Sequence, residues 1–273
     1  MPFDAHAGLA RSLLPALVEA SRVIMQVREN GLVVDRKSDD SPVTEADRLA
    51  EAILSAALQR SLDGVPIVAE ESAAAGLTPK IEETFVLLDP LDGTRDYAAG
   101  RSDFTVNIGL VDLGQPVFGL IYAPARSELF LTIASGRAVE ARLDLHAPPA
   151  AFSELVLTPL NAAAGKSGHL RAVVSRRECG PEFDERLAGL GIVTRTPASS
   201  AVKFGLVARG DADVYPRFGP TCEWDTAAGQ AIVEAAGGTV TGLNGEPLVY
   251  GKAGSGFLNG AFIARGRIAN QAT

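Results

Sequence analysis

One segment of the chain, in which an apolar run ends in two closely spaced carboxylates, strongly limits what the chain can fold into. Residues 85–94 read Phe-Val-Leu-Leu-Asp-Pro-Leu-Asp-Gly-Thr. The apolar run predicts a buried strand that delivers Asp89 at its end, and Pro90 then restricts the backbone at the bend. Asp92 would come round to the same side, where two carboxylates meet only if positive charge lies between them.

The chemistry of this segment favours a metal-dependent phosphate site. Ligands that are all oxygen atoms suit a hard cation such as Mg²⁺. Gly93 allows the backbone to approach a ligand closely, and the amides that follow it could open a helix whose N-terminus attracts phosphate. Residues 89–94 therefore read as half of such a site.

The size and charge of the chain allow this site and argue against other classes of protein. With 273 residues, of which 47% are hydrophobic, the chain can bury a large core in one large domain or two. The formal net charge of −8 argues against a nucleic-acid or membrane surface, so we expect no nucleic-acid partner. An acidic protein that handles an anionic substrate needs local positive charge, which a bound metal supplies.

Cysteine content and hydropathy predict a reduced environment. Cys179 and Cys222 are the only cysteines, so we expect neither a disulfide framework nor a cysteine-rich zinc site. We find no signal peptide and no apolar run long enough to span a bilayer. We therefore expect a cytoplasmic protein without an integral membrane segment, and the oligomeric state stays open.

Apolar periodicity predicts two helices near the start of the chain, followed by strands. The helices are expected over residues 5–28 and 44–60, with the polar residues 35–41 as a loop between them. The residues predicted on the buried side of the second helix are Leu49, Ile53, Leu54 and Leu58. The expected strands are 66–69 and 84–88, and then an antiparallel meander of 104–112, 116–122, 128–133 and 138–142.

Residues 147–168 are rich in Ala, Pro, Gly and Ser, and we place a subdomain boundary at their start. The prediction is an N-terminal α+β subdomain over 1–146 and a C-terminal α/β subdomain over 147–273. In the second part strand and helix patterns alternate, which indicates helices packed on a sheet. The expected elements are 171–175, 181–190, 192–195, 198–209, 212–215, 225–236, 239–241 and 261–264.

Four acidic clusters lie at predicted element boundaries, where functional residues commonly sit on a rigid scaffold. They are Thr44-Glu45-Ala46-Asp47, Glu70-Glu71-Ser72, Asp89 to Thr94, and Trp224-Asp225-Thr226. Three also have a structural interpretation: the first fits a helix capping box, the second a solvated loop, and the fourth a charge at a helix N-terminus. The third is harder to explain as a plain turn, because a turn does not need both carboxylates, the Gly and the Thr together.

In this order the clusters resemble the lithium-sensitive, magnesium-dependent phosphatases typified by inositol monophosphatase. Within that family the chain is most similar to the bacterial 3′(2′),5′-bisphosphate nucleotidases of the CysQ type. The segments that carry the closer match are Asp40-Ser41-Pro42-Val43-Thr44 with Asp47, Phe104 to Ile108, Tyr215 to Thr221, and Trp224 to Gly229. The resemblance covers about residues 8–265, apart from 143–170, and implies a layered αβαβα sandwich.

The resemblance implies a metal site made of carboxylates. The matching ligand positions are Glu70, Asp89, Asp92 and Asp225, with the backbone carbonyl of Leu91 as a further ligand. Crowded carboxylates repel one another without cations, so two or more Mg²⁺ ions are implied. Glu71 is expected to organise a second metal through water.

The resemblance also implies the residues that handle water and phosphate. Asp47 and Thr94 match a pair that orients the attacking water, and the amides of Gly93 and Thr94 would hold phosphate oxygens. The remaining residues expected at the substrate are Glu70, Leu91, Asp92 and Asp225.

Other residues concern the choice of substrate. A bisphosphorylated nucleotide needs a second cationic contact away from the metals, which Lys203 or Arg217 could provide. For each of them a surface salt bridge is the structural alternative. Ser175, followed by Arg176 after a predicted strand, could line the nucleotide pocket.

The function implied by the resemblance is removal of the 3′-phosphate from 3′-phosphoadenosine 5′-phosphate (PAP), giving AMP and phosphate. A role in sulfate assimilation and inhibition by Li⁺ are implied with it. Two alternatives stay open. One is a phosphatase of the same fold that acts on inositol phosphate, histidinol phosphate or a sugar bisphosphate, and the other is a protein whose main task is binding or regulation.

Overall fold

The structure is a computed structural model that describes residues 3–31, 34–36, 42–147, 151–162 and 169–267. Asp40 and Ser41, which belong to the first segment of the family resemblance, lie outside these residues. No helix within the described ranges combines the length and the apolar character needed to cross a membrane.

Two helices near the N-terminus pack against each other, as the periodicity predicts. They are α1 (Phe3–Glu29) and α2 (Glu45–Ser61). Leu54 and Leu58 are fully buried, but Leu49 is 41% exposed, so its predicted burial is wrong. The buried side of α2 instead includes two acidic residues, Asp47 and Glu51, which turns the inward face away from Leu49. Part of the predicted loop is also a short strand, because β1 (Val34–Arg36) pairs antiparallel with β2 (Pro42–Thr44).

A seven-stranded sheet covers these helices, and its strands follow one another in chain order. The strands are β3 (Ile67–Ala69), β4 (Thr84–Asp92), β5 (Thr105–Asp112), β6 (Gln115–Ala123), β7 (Glu128–Ala134), β8 (Arg137–Arg142) and β9 (Thr158–Pro159). Only β3 and β4 pair parallel, so the predicted antiparallel meander from β5 to β8 is confirmed. Two short helices, α3 (Glu70–Ala74) and α4 (Thr94–Ala98), follow directly after β3 and β4.

A second sheet of five strands lies in the C-terminal part, in the order β11-β10-β12-β16-β14. Its strands are β10 (Leu170–Ser175), β11 (Ile192–Ala198), β12 (Val214–Arg217), β14 (Thr239–Gly242) and β16 (Phe262–Arg265), while β13 (Thr221–Cys222) pairs with β15 (Leu258–Asn259). The helices here are α5 (Pro181–Gly189), α6 (Val202–Arg209) and α7 (Ala227–Ala235). The predicted helix over 198–209 is thus shorter, since Ala198 ends β11. A 3₁₀ turn, Glu223–Asp225, precedes α7.

The hydrophobic core shows how these elements stack. One cluster joins α1 and α2 to one face of the large sheet, through residues such as Val86 and Leu88 of β4. A second cluster joins the opposite face, including Leu87, to α6, α7 and the five-stranded sheet. A third packs α5 on the outer face of that sheet. The layers therefore run α, β, α, β, α, and the predicted layered sandwich is confirmed.

The contact between α7 and the large sheet is unusually close at Gly119. A Cβ atom at this position would lie 2.2 Å from the carbonyl oxygen of Ala228 in α7. Such an approach requires glycine, and it brings the first turn of α7 down onto the strands next to the end of β4. Beyond the predicted boundary at 146/147, β9 still pairs with β8. The division into two subdomains stays a prediction.

Candidate metal and phosphate site

Three carboxylates that are distant in sequence meet at the end of β4. Oxygen atoms of Glu70, Asp89 and Asp225 all lie within 4.8 Å of one another. Glu70 is the first residue of α3, Asp89 lies in β4, and Asp225 ends the 3₁₀ turn before α7. We call these three residues, together with Asp92, the acidic cluster.

The acidic cluster has the electrostatics of a cation site. Burial raises the pKa of Asp89 well above its usual range, and Glu70, Asp92 and Asp225 raise it further. Burial and then Asp225 raise the pKa of Asp92 to about 6, although Lys203 opposes the rise. Crowded anions of this kind are stabilised by a cation among them, and carboxylate oxygens suit a hard divalent ion. The residues present therefore fit such an ion.

The predicted water-orienting pair is in contact. The hydroxyl of Thr94 lies 3.2 Å from Asp47 Oδ1 and 3.1 Å from the carbonyl oxygen of Leu91, and its single proton can be donated to only one of them at a time. Asp47 Oδ2 accepts hydrogen bonds from the backbone amide and the hydroxyl of Thr44, each at 2.7 Å. The capping-box interpretation is thus confirmed, and the same side chain also reaches the site.

Gly93 has a left-handed backbone conformation at the start of α4. Its φ is +90°, in the left-handed region that favours glycine. A Cβ atom would lie 3.0 Å from the carbonyl oxygen of Asp103 and 3.2 Å from Ser200 Cβ. Backbone strain and lack of space therefore both select glycine, and they fix the start of α4 beside Asp92.

Glu51 is a functional candidate that the sequence analysis did not single out. Its carboxylate accepts hydrogen bonds from the backbone amides of Glu71 (2.7 Å) and Ser72 (2.9 Å), and thus holds the first turn of α3, which carries Glu70. Glu51 lies one helical turn after Asp47 on the buried side of α2. Two acidic residues one turn apart, Asp47 and Glu51, on a helix face that otherwise carries Ala and Leu are the signal that could have found it.

Glu223 supports Asp225 in a similar way and was also missed. It is fully buried and accepts hydrogen bonds from the backbone amides of Gly251 (2.7 Å) and Lys252 (3.0 Å), with the Lys252 ammonium at 2.7 Å. Asp225 itself accepts from the Thr221 hydroxyl and from the Cys222 amide at 3.2 Å. The turn that carries Asp225 is therefore held from both sides.

A cavity of about 350 Å³ opens in front of the acidic cluster. Glu70, Asp92 and Asp225 line it together with Gly93 and Thr94. Asp89, Leu91 and Glu71 are not among the residues that line the cavity, although Glu71 stands next to Glu70 in α3. The lining also includes Arg177, Lys203 and Arg217, which we call the basic wall. Ser175, at the end of β10, also lines the cavity, and its contact with a nucleotide stays a prediction.

Lys203 and Arg217 are not surface ion-pair residues. Lys203 is 3% exposed, donates a hydrogen bond to the carbonyl of Ser200 (2.7 Å), and lies 4.9 Å from the ring centre of Tyr215. Burial lowers the pKa of Lys203 to about 8, although Asp92 opposes this effect. Arg217 donates to the carbonyl of Pro220 at 2.9 Å, and its buried Nε has no partner among the described residues. Within the described part of the chain neither residue forms a salt bridge, and both line the cavity.

Comparison with known proteins identifies the family to which this site belongs. The model of the inositol monophosphatase family matches residues 10–271. The 3′(2′),5′-bisphosphate nucleotidase CysQ of Escherichia coli (strain K12) is 36% identical over 245 residues, which cover 89% of this chain and 94% of that protein. The protein of the same name from Salmonella typhimurium is 37% identical over the same length.

Solved structures show the same fold. CysQ from Bacteroides thetaiotaomicron has a TM-score of 0.76 and 33% identity, and the match covers 94% of this chain and 96% of that one. An inositol monophosphatase from Anabaena (Nostoc) sp. PCC 7120 has a TM-score of 0.68 and 25% identity, over 93% of this chain and 88% of that one.

Proposed function

The chain belongs to the inositol monophosphatase family, and we propose that it is a Mg²⁺-dependent phosphatase that removes the 3′-phosphate of PAP to give AMP and phosphate. The observation that carries this proposal is one cavity lined both by carboxylates of the acidic cluster and by the cations of the basic wall. Similarity to the bisphosphate nucleotidases supports the substrate. Inhibition by Li⁺ and a role in sulfate assimilation are part of the proposal.

The acidic cluster would hold the metal ions. Its four carboxylates and the Leu91 carbonyl offer the oxygen ligands that Mg²⁺ prefers. When bound, Mg²⁺ ions would balance these charges and stabilise the charge that develops on the phosphate oxygens. In this arrangement Glu51 and Glu223 keep two of the ligands, Glu70 and Asp225, in place. Glu71 would act on a second ion through water.

Thr94 and Asp47 would handle the proton of the attacking water. The Thr94 hydroxyl can accept a hydrogen bond from that water while it donates its own proton to Asp47 Oδ1. Asp47 stays in one orientation because the amide and the hydroxyl of Thr44 hold its other oxygen. Water, oriented in this way, serves as the nucleophile, so no covalent enzyme intermediate is needed. The amides at Gly93 and Thr94 would bind the phosphate oxygens.

The basic wall would bind the second phosphate of the substrate. Lys203 and Arg217 retain N–H groups that the protein does not use, and charge-assisted hydrogen bonds from such groups select an anion. Ser175 would contact the nucleoside between the two phosphates. A monophosphate without the second anion would leave the basic wall unpaired, which favours a bisphosphorylated nucleotide.

The test is phosphate release with Mg²⁺ from PAP and from inositol 1-phosphate, side by side, with and without EDTA. The proposal expects a strong preference for PAP and no release in EDTA. A preference for inositol 1-phosphate would contradict the proposed substrate but would be compatible with the proposed metal site. Release that persists in EDTA would contradict the metal-dependent reaction, and no release from either substrate would favour a binding protein.

A further inference from the structure

Asn107 has a buried side chain that the proposed reaction leaves without a role. The residue is 1% exposed, and both Oδ1 and Nδ2 lack hydrogen-bond partners in the described part of the chain. An unpaired amide in the interior costs free energy, and an apolar residue of similar shape would avoid that cost. The position therefore calls for a partner that the described residues do not supply.

Asn107 stands directly beside the acidic cluster. In the antiparallel pair of β4 and β5 it lies opposite Asp89. Residues that are directly opposed in this way share one face of the sheet, with Cβ atoms about 4.5–5.5 Å apart. The Asn107 amide and the Asp89 carboxylate are thus neighbours on one face of the large sheet.

The flanking residues of β5 on the same face show what Asn107 faces. Two positions before it, the Thr105 hydroxyl lies 3.2 Å from the hydroxyl of Ser200, which lines the cavity. Two positions after it, a Cβ atom on Gly109 would lie 2.7 Å from Ala227 Cβ in the first turn of α7. Asn107 therefore lies between the cavity and the start of α7, close to the turn that carries Asp225.

We propose that Asn107 is a positioning residue for Asp89, and that its Nδ2 donates a hydrogen bond to the Asp89 carboxylate when the acidic cluster holds a divalent cation. This inference rests on the proposed metal site. Asp89 already accepts a hydrogen bond from the Leu91 amide at 3.0 Å, and a second donor fixes the plane of the carboxylate. Groups that hydrogen-bond to metal ligands orient them in this way. A neutral amide does so without adding charge to the cluster.

Asn259 provides a matched control. It is also a buried asparagine, 2% exposed, but its partners lie within the protein. Its Oδ1 accepts from the Lys252 ammonium at 2.8 Å, and its Nδ2 donates to the Thr226 hydroxyl at 2.8 Å. Asn259 therefore serves the folded protein with or without a cation, whereas the proposed role of Asn107 depends on one.

The experiment compares wild type, Asn107→Leu and Asn259→Leu in EDTA and then in a Mg²⁺ titration. In EDTA we expect Asn107→Leu to unfold at the wild-type temperature or above it, because it removes an unpaired amide, and Asn259→Leu to unfold several degrees lower. Calorimetric titration should give Asn107→Leu a Kd for Mg²⁺ about 10–100-fold above that of wild type. If Asn107→Leu does not fold, the same Mg²⁺ titration is made with Asn107→Ser, and the same increase in Kd is expected.

Three results would contradict the inference. A wild-type Kd for Mg²⁺ in Asn107→Leu would overturn the inference while leaving the metal site intact. A loss of stability in EDTA equal to that of Asn259→Leu would overturn it too, because the amide would then serve the fold. If wild type itself does not bind Mg²⁺, the proposed metal site fails, and the inference fails with it.

Discussion

The acidic cluster and the basic wall meet at one cavity, but their side chains are held in different ways. Around the acidic cluster the protein supplies many of the hydrogen bonds: Leu91 donates to Asp89, and Thr221 and Cys222 donate to Asp225. On the basic wall Lys203 and Arg217 donate to backbone carbonyls, and the buried Nε of Arg217 has no partner among the described residues. Lys203 and Arg217 therefore keep N–H donors that a bound ligand can use.

We therefore expect the acidic cluster to serve the reaction and the basic wall to select the substrate. The segments that carry the acidic cluster come from β4 and from turns anchored by the buried carboxylates of Glu51 and Glu223, so its geometry is set by the fold. The basic wall takes Lys203 from α6, Arg217 from the end of β12 and Arg177 from the turn after β10, and in our proposal it meets the substrate. Loss of an acidic residue should then affect every substrate, and loss of a basic residue should affect only those with a second phosphate.

Asp89→Asn should have the largest effect. If Asp89 is a metal ligand, as we propose, its replacement forfeits several kcal/mol of charge stabilisation, so we expect kcat/KM to fall about 10³-fold or more for all phosphate substrates. The matched control is Asp63→Asn, the same change at an exposed carboxylate, which should stay at the wild-type rate. Steady-state kinetics with PAP and with 3′-AMP test both. Undiminished turnover in Asp89→Asn would remove this residue from the metal site.

Thr94→Ala comes next. The variant removes the hydroxyl that contacts Asp47 but no charge, so we expect kcat to fall about 10²-fold with little change in KM. Thr94→Ser keeps the hydroxyl and should retain most of the activity. A rise in KM at unchanged kcat would instead give Thr94 a role in binding.

The acidic half of this site could be predicted because its signals are local. The apolar run predicts the strand, and the structure has it, but β4 continues past the predicted end at Leu88 to Asp92, with an irregular register between Asp89 and Asp92. The meander from β5 to β8 was predictable for the same reason, since turn residues and apolar runs mark its strands.

The partners of the supporting residues could not be predicted because they are distant in sequence. Glu51 binds backbone amides twenty and twenty-one positions later, and Glu223 binds amides nearly thirty positions later. Periodicity records that a helix face is buried but not which polar groups it meets. The misplacement of Leu49 has the same origin, because buried Asp47 and Glu51 turn the face of α2 away from it.

Arg217→Ala should distinguish the role of the basic wall from that of the acidic cluster. If Arg217 makes a charge-assisted contact to the second phosphate, its loss should lower kcat/KM about 10–100-fold for PAP. The value for 3′-AMP, which lacks the 5′-phosphate, should hardly change. Arg186→Ala, which removes an exposed arginine paired with Glu182 outside the cavity, is the control. Equal losses on both substrates would place Arg217 with the residues that serve the reaction itself.

The pH dependence of PAP binding gives the smallest predicted effect and tests Lys203. Because burial lowers the pKa of Lys203 to about 8, this lysine loses its charge as the pH rises through that value. Below that pH the Lys203 ammonium can bind the second phosphate. KM for PAP should therefore rise about threefold between about pH 7.5 and 8.5. KM for 3′-AMP should not follow this change. Lys203→Met, which has no charge at any pH, should show a raised KM for PAP that is flat across the range. A wild-type KM that stays flat for PAP would mean that the second phosphate depends on Arg217 instead.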